Sequence, residues 1–199
     1  MLMTDIHVRT FTGTALKPYL HSLAKLRMEV FKEYPFFEEP DLYREMQALR
    51  RIASLKESVG VLIFDGITLV GSALGYPLEF EEPAVIKPFE EKHLDIHAYY
   101  LFTESLLLKS YRSRGIGHHF FDAREAHVSY NKKYKHICFY IPDIAQNMEL
   151  KPEDTLPLFD FWRKRGYVPH HEMKFALQWT AIGEAHPSDK QMSFWIKDL

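Results

Sequence analysis

The sequence has 199 residues, more than a minimal fold needs and fewer than two ordinary domains usually require, so we predict one domain over residues 1–199. With 46% hydrophobic residues, 15 Phe and 11 Tyr, the chain can bury a substantial core, and its single cysteine, Cys138, excludes a disulfide within the chain. A formal net charge of −2 argues against nucleic acid or an anionic membrane as partner, and no signal-like or bilayer-spanning apolar segment is present, so we expect a cytoplasmic protein.

The first half of the chain predicts a strand, two helices and a hairpin. Residues 6–11 alternate as in a short strand, and residues 16–31 carry apolar side chains at helical spacing before Pro35 ends the run. Asp41 is a plausible cap for a second helix over residues 41–56, with Leu42 on its apolar side. Asp65-Gly66 separates two apolar, β-branched runs, which predicts an antiparallel hairpin.

The second half alternates strands with helices. Residues 81–97 are charged and contain two prolines, which indicates a loop or a short helix and a first candidate for substrate-facing structure. An apolar run too long for an edge strand follows, and we expect it to be central in the sheet. The remaining elements are a helix over residues 115–130, a strand over 134–141, a polar loop around Pro152, a helix that ends at Gly166, and strands around 172–180 and 192–197.

The stretch SYRSRGIGHHFFDAREAHV, residues 110–128, places two glycines where a strand turns into a helix. Such a turn presents unpaired N–H groups at the positive end of the helix dipole, and glycine lets a phosphate approach them closely. Arg112 and Arg114 either add charged contacts to a diphosphate or are solvated. A nucleoside-triphosphate loop is disfavoured because no Gly-Lys-Ser/Thr follows, and Phe120 stands where a dinucleotide site would have its third glycine.

These pieces together resemble the GCN5-related N-acetyltransferase (GNAT) superfamily, in the order of that family. The segment LAKLRMEVFKEYPF is similar to its first helix, VGVLIFDGITLVGSALG to its second and third strands, YYLFTESLLLKSYRSRGIG to its fourth strand with the acyl-CoA motif, and LFDFWRKRGY to a later family segment. The resemblance implies an α/β fold with a mixed, mostly antiparallel sheet, splayed between strands 4 and 5 by a bulge in strand 4 and flanked by helices. It also implies transfer of an acetyl group from acetyl-CoA to an amine.

The resemblance also implies where the cofactor lies. The main chain of Leu106, Leu107 and Leu108 would pair with the pantetheine arm like an added strand. An amine acceptor would enter beside the first two helices, with the oxyanion stabilised by an N–H group of the fourth strand. Dimers are common in this family, so the resemblance is also compatible with a homodimer. The residues expected to hold the pyrophosphate of coenzyme A are Arg112, Ser113, Arg114, Gly115, Ile116, Gly117 and His118.

Acetyl transfer to an amine needs a base, because a primary amine is mostly protonated at neutral pH. Glu104 stands where many family members carry a glutamate that serves directly or through water; otherwise it pairs with a basic neighbour. Trp162 replaces the tyrosine that often acts as the acid, and Thr155 replaces a frequent asparagine. Either the thiolate leaves unassisted, or Tyr100 or Tyr140 protonates it.

Tyr34 and Phe37 either line the acceptor pocket or pack the end of the first helix into the core. His93 and His97 have the spacing of a helical metal pair, but His97 begins a strand, and we expect no metal. We therefore predict an N-acetyltransferase that acts on a small-molecule or peptide amine. The alternatives are an acyl-CoA-binding or regulatory module without catalysis and a transferase for a larger acyl group.

Overall fold

The computed structural model describes residues 5–143 and 155–199, which form seven strands and five α-helices. The predicted loop around Pro152 lies outside the described residues. The strands are β1 (Ile6–Thr12), β2 (Val59–Asp65), β3 (Thr68–Pro77), β4 (Tyr99–Leu107), β5 (His136–Pro142), β6 (Val168–Trp179) and β7 (Ser188–Asp198). The helices are α1 (Leu20–Val30), α2 (Leu42–Ser54), α3 (Pro83–Glu91), α4 (Ile116–Tyr130) and α5 (Thr155–Lys164).

The strands form one sheet in the order β1-β2-β3-β4-β5-β7-β6. The pairs β1–β2, β2–β3, β5–β7 and β6–β7 are antiparallel, whereas β4 and β5 are parallel. The predicted α/β fold with a mixed, mostly antiparallel sheet is confirmed, and the long apolar strand is its central member. The register of β4 with β5 covers only residues 99–101 against 136–138, so residues 102–107 and 139–142 lie beyond the paired end. The splay predicted between strands 4 and 5 stays a prediction.

By packing, the described chain divides into two compact units. The first contains the described residues up to 30 together with residues 40–76 and 102–131, and the second contains residues 31–39, 77–101 and the described residues from 132 onward. β4 therefore contributes its first three residues to the second unit and the rest to the first. The single domain over residues 1–199 stays a prediction.

The first unit follows the sequence pattern with two differences. Asp41 caps α2 as predicted, because its carboxylate accepts a hydrogen bond of 3.0 Å from the N–H group of Arg44. The helix predicted from residue 16 begins only at Leu20, because residues 13–19, which include Pro18, form a 3-10 segment. Leu42, predicted on the buried side of α2, is 42% exposed, because it occupies the first position of the helix, where the chain enters from the surface residue Asp41. No described helix is long and apolar enough to cross a membrane.

The second unit has an aromatic core. The ring of Phe139 lies 4.8 Å from that of Trp162 and 5.0 Å from that of Tyr167. Gly166 ends the last helical turn with φ +90°, the left-handed conformation that the sequence predicted for this position. Cys138 is fully buried on β5, where burial raises the pKa of its thiol. The thiol is therefore a packing group, as expected for a cysteine in an apolar run.

Candidate active site

The glycine turn connects β4 to α4 through two left-handed residues. After Leu107 the chain makes a 3-10 turn over Lys109–Tyr111, and Ser113 and Gly115 then have φ +60° and +76°. Gly115 is the residue before α4 and no side chain caps the helix there. The first N–H groups of α4 consequently lack intrahelical acceptors, which makes this end of the helix suited to an anion.

Open space lies in front of both glycines of the motif. A Cβ atom added at Gly115 or Gly117 would meet no heavy atom within 4 Å, whereas at Gly71 it would lie 2.7 Å from the Leu107 side chain. Gly117 also has an ordinary helical backbone, because it is absent from the positive-φ glycines of the described chain. Neither packing nor conformation therefore requires glycine at position 117. A phosphate that approaches the helix N-terminus closely would require it, so the turn fits the pyrophosphate of coenzyme A.

Side-chain hydrogen bonds connect this turn to the sheet. Arg112 donates from Nε to the carbonyl of Leu107 at 2.9 Å, and the hydroxyl of Tyr111 donates to Oδ2 of Asp65 at 2.8 Å. The hydrogen bond to Asp65 is the main reason that the pKa of Tyr111 is raised. The guanidinium of Arg114 lies 5.4 Å from the ring centroid of Tyr111 on an exposed side chain. Arg112 thus supports the turn, while Arg114 is accessible to a diphosphate.

The three leucines before the turn already use part of their main chain. The N–H group of Leu108 donates to the carbonyl of Val70 at 3.0 Å, and the Leu107 carbonyl accepts from Arg112. Leu106 is 4% exposed. Pairing of these residues with a pantetheine arm stays a prediction, as does contact of Ile116 and of the exposed His118 with the pyrophosphate.

Glu104 is joined to two helices through a buried ion triad in the first unit. Arg27 of α1 donates from Nη1 to Oε1 of Glu104 at 2.5 Å and from Nε to Oε2 of Glu45 on α2. The side chains of Arg27, Glu45 and Glu104 are only 13%, 6% and 6% exposed. Burial lowers the pKa of Arg27, but the charges of Glu104 and Glu45 outweigh it, so the pKa is raised and the guanidinium stays charged. The structure thus shows the predicted alternative in which Glu104 pairs with a basic neighbour.

That pairing occupies one oxygen of Glu104 and leaves the other available. Within residues 5–143 and 155–199, Oε2 of Glu104 accepts no hydrogen bond. A carboxylate held by one oxygen can still take a proton on the other, directly or through water. The catalytic role of Glu104 therefore stays a prediction that is compatible with the ion triad.

A second arginine holds the main chain at Glu104. Arg124 of α4 is 0% exposed, and its Nη1 donates to the carbonyls of Leu74 at 2.9 Å and Glu104 at 3.0 Å. Its Nη2 donates to Oγ of Ser105 at 2.6 Å, and its guanidinium lies 4.1 Å from the ring centroid of Phe102. The carboxylate of Glu104 is thus fixed from α1 and its carbonyl from α4.

The contacts of Arg124 also locate an irregularity in β4. Phe102 and Ser105 both contact this one side chain, although residues three apart in a regular strand face opposite sides. Their contacts with one side chain indicate irregular alternation in this part of β4, of the kind found at a β-bulge. The bulge that the resemblance implies in this strand stays a prediction, and the contact with Arg27 directs the Glu104 side chain toward α1.

The two candidate acids belong to the second unit. Tyr100 is 0% exposed and its ring lies 5.1 Å from that of Tyr134. Tyr140 is half-buried, with its ring 5.1 Å from that of Phe175. Trp162 is 8% exposed among aromatic rings, which is a packing role. The participation of either tyrosine in protonating a thiolate stays a prediction.

Tyr34 and Phe37 are brought together in the second unit, with ring centroids 6.0 Å apart. Phe37 is 37% exposed and has φ +47°, and its carbonyl accepts from the N–H group of Ile182 at 2.6 Å. The hydroxyl of Tyr34 is buried with no partner among the described residues, and burial raises its pKa. The pair combines an exposed ring with an unpartnered hydroxyl, and a role in acceptor binding stays a prediction.

The histidines contribute no metal site to the part of the chain that the structure describes. No three His, Cys, Asp or Glu side chains there come together in a way that could hold an ion. His97, one of the spaced pair, has its Nδ1 2.9 Å from Oε2 of Glu79, and His93 has φ +55° at the end of its helix.

Sequence reasoning missed Arg27, Glu45 and Arg124, the charged residues that build the site around Glu104. Helical spacing could have found two of them. Glu45 stands four residues before the buried Leu49, and Arg124 stands four after Phe120 and four before Val128. A charged residue that stands at helical spacing from buried apolar residues is predicted to lie in the interior as well. Such a buried charge needs a partner of opposite charge or a hydrogen-bond partner.

Comparisons agree with this geometry at the level of fold. No family model and no curated protein matches the sequence. Solved structures do match. A ribosomal-protein-alanine N-acetyltransferase from Brucella melitensis is 16% identical over 97% of this chain and 99% of its own, with a TM-score of 0.62. An acetyltransferase of the GNAT family from Streptococcus pneumoniae is 11% identical over 98% and 99%, with a TM-score of 0.59.

Arabidopsis thaliana NAA60, solved in complex with acetyl-CoA, is 10% identical over 98% of this chain and 99% of its own, with a TM-score of 0.61. These identities are low, and the likeness is one of fold over nearly the full length of every chain. The protein has the GNAT fold, as the sequence resemblance predicted.

Proposed function

We propose that the protein is an N-acetyltransferase that moves an acetyl group from acetyl-CoA to the amino group of a small-molecule or peptide acceptor by direct transfer. The GNAT fold supports acyl transfer in general, because the matching structures are named as acetyltransferases. The observation that carries the proposal is the turn before α4, where the glycines face open space at a helix N-terminus.

Each residue at the site has a task in this proposal. The N–H groups of residues 113–117 and the guanidinium of Arg114 bind the pyrophosphate, and the thioester supplies the acetyl group. Oε2 of Glu104 accepts a proton from the acceptor ammonium, directly or through water, so that the neutral amine can attack the acetyl carbonyl. An N–H group of β4 stabilises the oxyanion. As the carbon–sulfur bond breaks, the attacking nitrogen loses its second proton to solvent or to the departing thiolate, which leaves as coenzyme A.

Two structures of one neighbour support the choice of cofactor. Arabidopsis thaliana NAA60 was solved with acetyl-CoA and, separately, with a bisubstrate analogue. The second of these structures is 9% identical over 96% of this chain, with a TM-score of 0.59. Because this fold holds acetyl-CoA in NAA60, acetyl-CoA is the first ligand to test here.

Calorimetric titration tests the proposal. Wild-type protein is titrated with acetyl-CoA and with desulfo-coenzyme A, which keeps the pyrophosphate and lacks the thioester, and we expect micromolar binding of both. Gly117→Ala should weaken both affinities at least tenfold, because the new methyl group occupies the approach to the helix N-terminus. Its unfolding midpoint should be unchanged or higher, since the methyl meets no protein atom and alanine favours a helix. No wild-type binding at millimolar ligand would refute the proposal.

A second candidate function is an acyl-CoA-binding module without turnover. The burial of Trp162 among aromatic rings favours it, because the position that often supplies the acid is filled by a packing residue. Turnover of acetyl-CoA with a panel of primary amines separates the two functions. Binding with no transfer to any amine favours the module, and transfer to one amine establishes the enzyme.

A further inference from the structure

We propose that Arg27 is a positioning residue of this reaction, which holds Oε1 of Glu104 so that Oε2 faces the acceptor amine, and that Glu45 anchors Arg27. This inference rests on the proposed function. It adds two residues from α1 and α2 to a site that otherwise consists of β4 and the glycine turn.

The geometry makes Arg27 a bridge with two separate ends. Nη1 binds Glu104 and Nε binds Glu45, so the guanidinium uses different edges for the two carboxylates. A planar guanidinium fixes the angle between its donors, and the position of Glu45 therefore sets the direction from which Glu104 is held. With the carbonyl of Glu104 held by Arg124, the residue is restrained at both its side chain and its main chain.

The charges of the triad suit an acceptor that arrives as a cation. Two buried carboxylates share the guanidinium of Arg27, and a second arginine approaches the Glu45 end: Nη2 of Arg44 lies 3.9 Å from Oε1 of Glu45, on a side chain that is 41% exposed. Arg44 compensates Glu45, at the end of the triad away from Glu104. Arg124 donates to the carbonyl of Glu104 and not to its carboxylate, so Oε2 is the oxygen of Glu104 to which an ammonium group would donate its proton.

The experiment compares Arg27→Lys with Arg44→Lys. Lysine keeps the charge but offers a single point donor, which cannot hold two carboxylates at a fixed angle. We expect Arg27→Lys to lower kcat roughly 10- to 100-fold, because a small displacement of a catalytic group has an effect of that order. Its affinity for acetyl-CoA should equal that of the wild type, because Arg27 belongs to no part of the glycine turn. Arg44→Lys is the matched control, which touches Glu45 and not Glu104, and should keep the wild-type kcat.

Non-additivity distinguishes positioning from general structural support. If Arg27 acts through Glu104, then Arg27→Lys causes no further loss of kcat in a Glu104→Gln background. Losses that multiply in the double variant would overturn the proposal, as would a wild-type kcat for Arg27→Lys. If the wild-type protein transfers no acetyl group to any amine, the proposed function fails. The kcat ratios of the variants then do not test the role of Arg27.

A stability measurement tests the contact between Arg27 and Glu104 without enzyme turnover. It applies even if no acetyl transfer is detected, and it also shows whether a variant has low stability. Urea unfolding of Arg27→Lys, Glu104→Gln and the double variant forms a thermodynamic cycle. We expect the two midpoint shifts to be strongly non-additive, because both substitutions remove the same buried contact. Additive shifts of the unfolding midpoint would mean that Arg27 does not hold Glu104, and would overturn the proposal that Arg27 is a positioning residue. Glu45→Gln, which leaves the Arg27–Glu104 pair balanced in charge, should lower kcat in the same direction with wild-type binding of acetyl-CoA.

Discussion

Arg124 illustrates how much a single side chain can organise. Its guanidinium lies in the interior of the first unit, where it donates to one hydroxyl and to three main-chain carbonyls, those of Leu74, Glu104 and Phe120, and stacks on Phe102. The carbonyl of Glu104 belongs to the part of β4 that lies beyond its short register with β5. Arg124 therefore supplies donors at the point where the sheet offers fewer of its own.

Arg124→Met should be among the most damaging single substitutions in the first unit. It keeps most of the volume but leaves buried carbonyls without a donor, each at a cost of about 1–3 kcal/mol. We expect the free energy of unfolding in urea to fall by about 3–5 kcal/mol, as when one member of a buried polar network is removed. Arg50→Met, on an exposed position of α2, is the control and should change it little. A similar small change for both variants would contradict this assignment.

At the scale of elements, local signals in the sequence were sufficient wherever one or two residues decide the conformation. Asp65-Gly66 predicted the hairpin, and Gly66 has φ +58°. Gly166 predicted the end of α5, and Asp41 the start of α2. In each case the backbone conformation or the hydrogen bond belongs to the residue that gave the signal.

The site was predicted only in part, because its other residues depend on contacts between distant segments. Glu104 was identified by its position before the glycine turn. Its partner Arg27 is 77 residues away in the sequence, and the amphipathic pattern of its helix predicts a surface position for it. Phe102 and Ser105 contact the same side chain, which departs from the alternation that pattern analysis assumes, so the face of Glu104 could not be predicted from the strand. The partner of Glu104 and the direction of its side chain could be identified only from the three-dimensional structure.

Asp41→Ala tests the link between helix capping and the site. The carboxylate of Asp41 satisfies one N–H group of the first turn of α2, and its loss should cost about 0.5–2 kcal/mol of unfolding free energy. Asp41→Asn keeps an acceptor and should remain close to the wild type in the same urea titration. Because Glu45 lies in that first turn, we also expect a lower kcat for the alanine variant. Equal stability of the two variants would argue against the cap.

For the whole molecule, stability should depend on pH through glutamates that are held in their charged form. Hydrogen bonds from Lys190, from the N–H group of Ala181 and from Ser188, at 2.8–2.9 Å, lower the pKa of Glu184 to about 2. For Glu79 burial raises the pKa, but hydrogen bonds from Lys133 and His97 outweigh it and the pKa is lowered. A lowered pKa means that the folded state binds the proton less readily than the unfolded state does.

The sign of the pH effect follows directly. The contribution of Glu184 is complete above the pKa of an unfolded glutamate, 4.5, and is lost as the pH falls toward about 2. We expect the thermal midpoint of the wild type to fall between pH 5 and pH 2, and Glu184→Gln to show a smaller fall over this window. Glu29→Gln, at an exposed position of α1, is the control and should follow the wild-type curve. Parallel curves for wild type and Glu184→Gln would contradict this origin.

The contacts of β4 with Arg124 have a consequence for how the length of this chain can vary. Phe102 and Ser105 both contact Arg124 although they are three residues apart. Deleting or inserting a residue between them would shift one relative to the other by one position and turn one of the two side chains to the opposite face. The exposed hairpin tip at Gly66 and Ile67, which is 99% exposed, has no such constraint. Among sequences that share this site, gaps should therefore fall in the hairpin and not between positions 102 and 105.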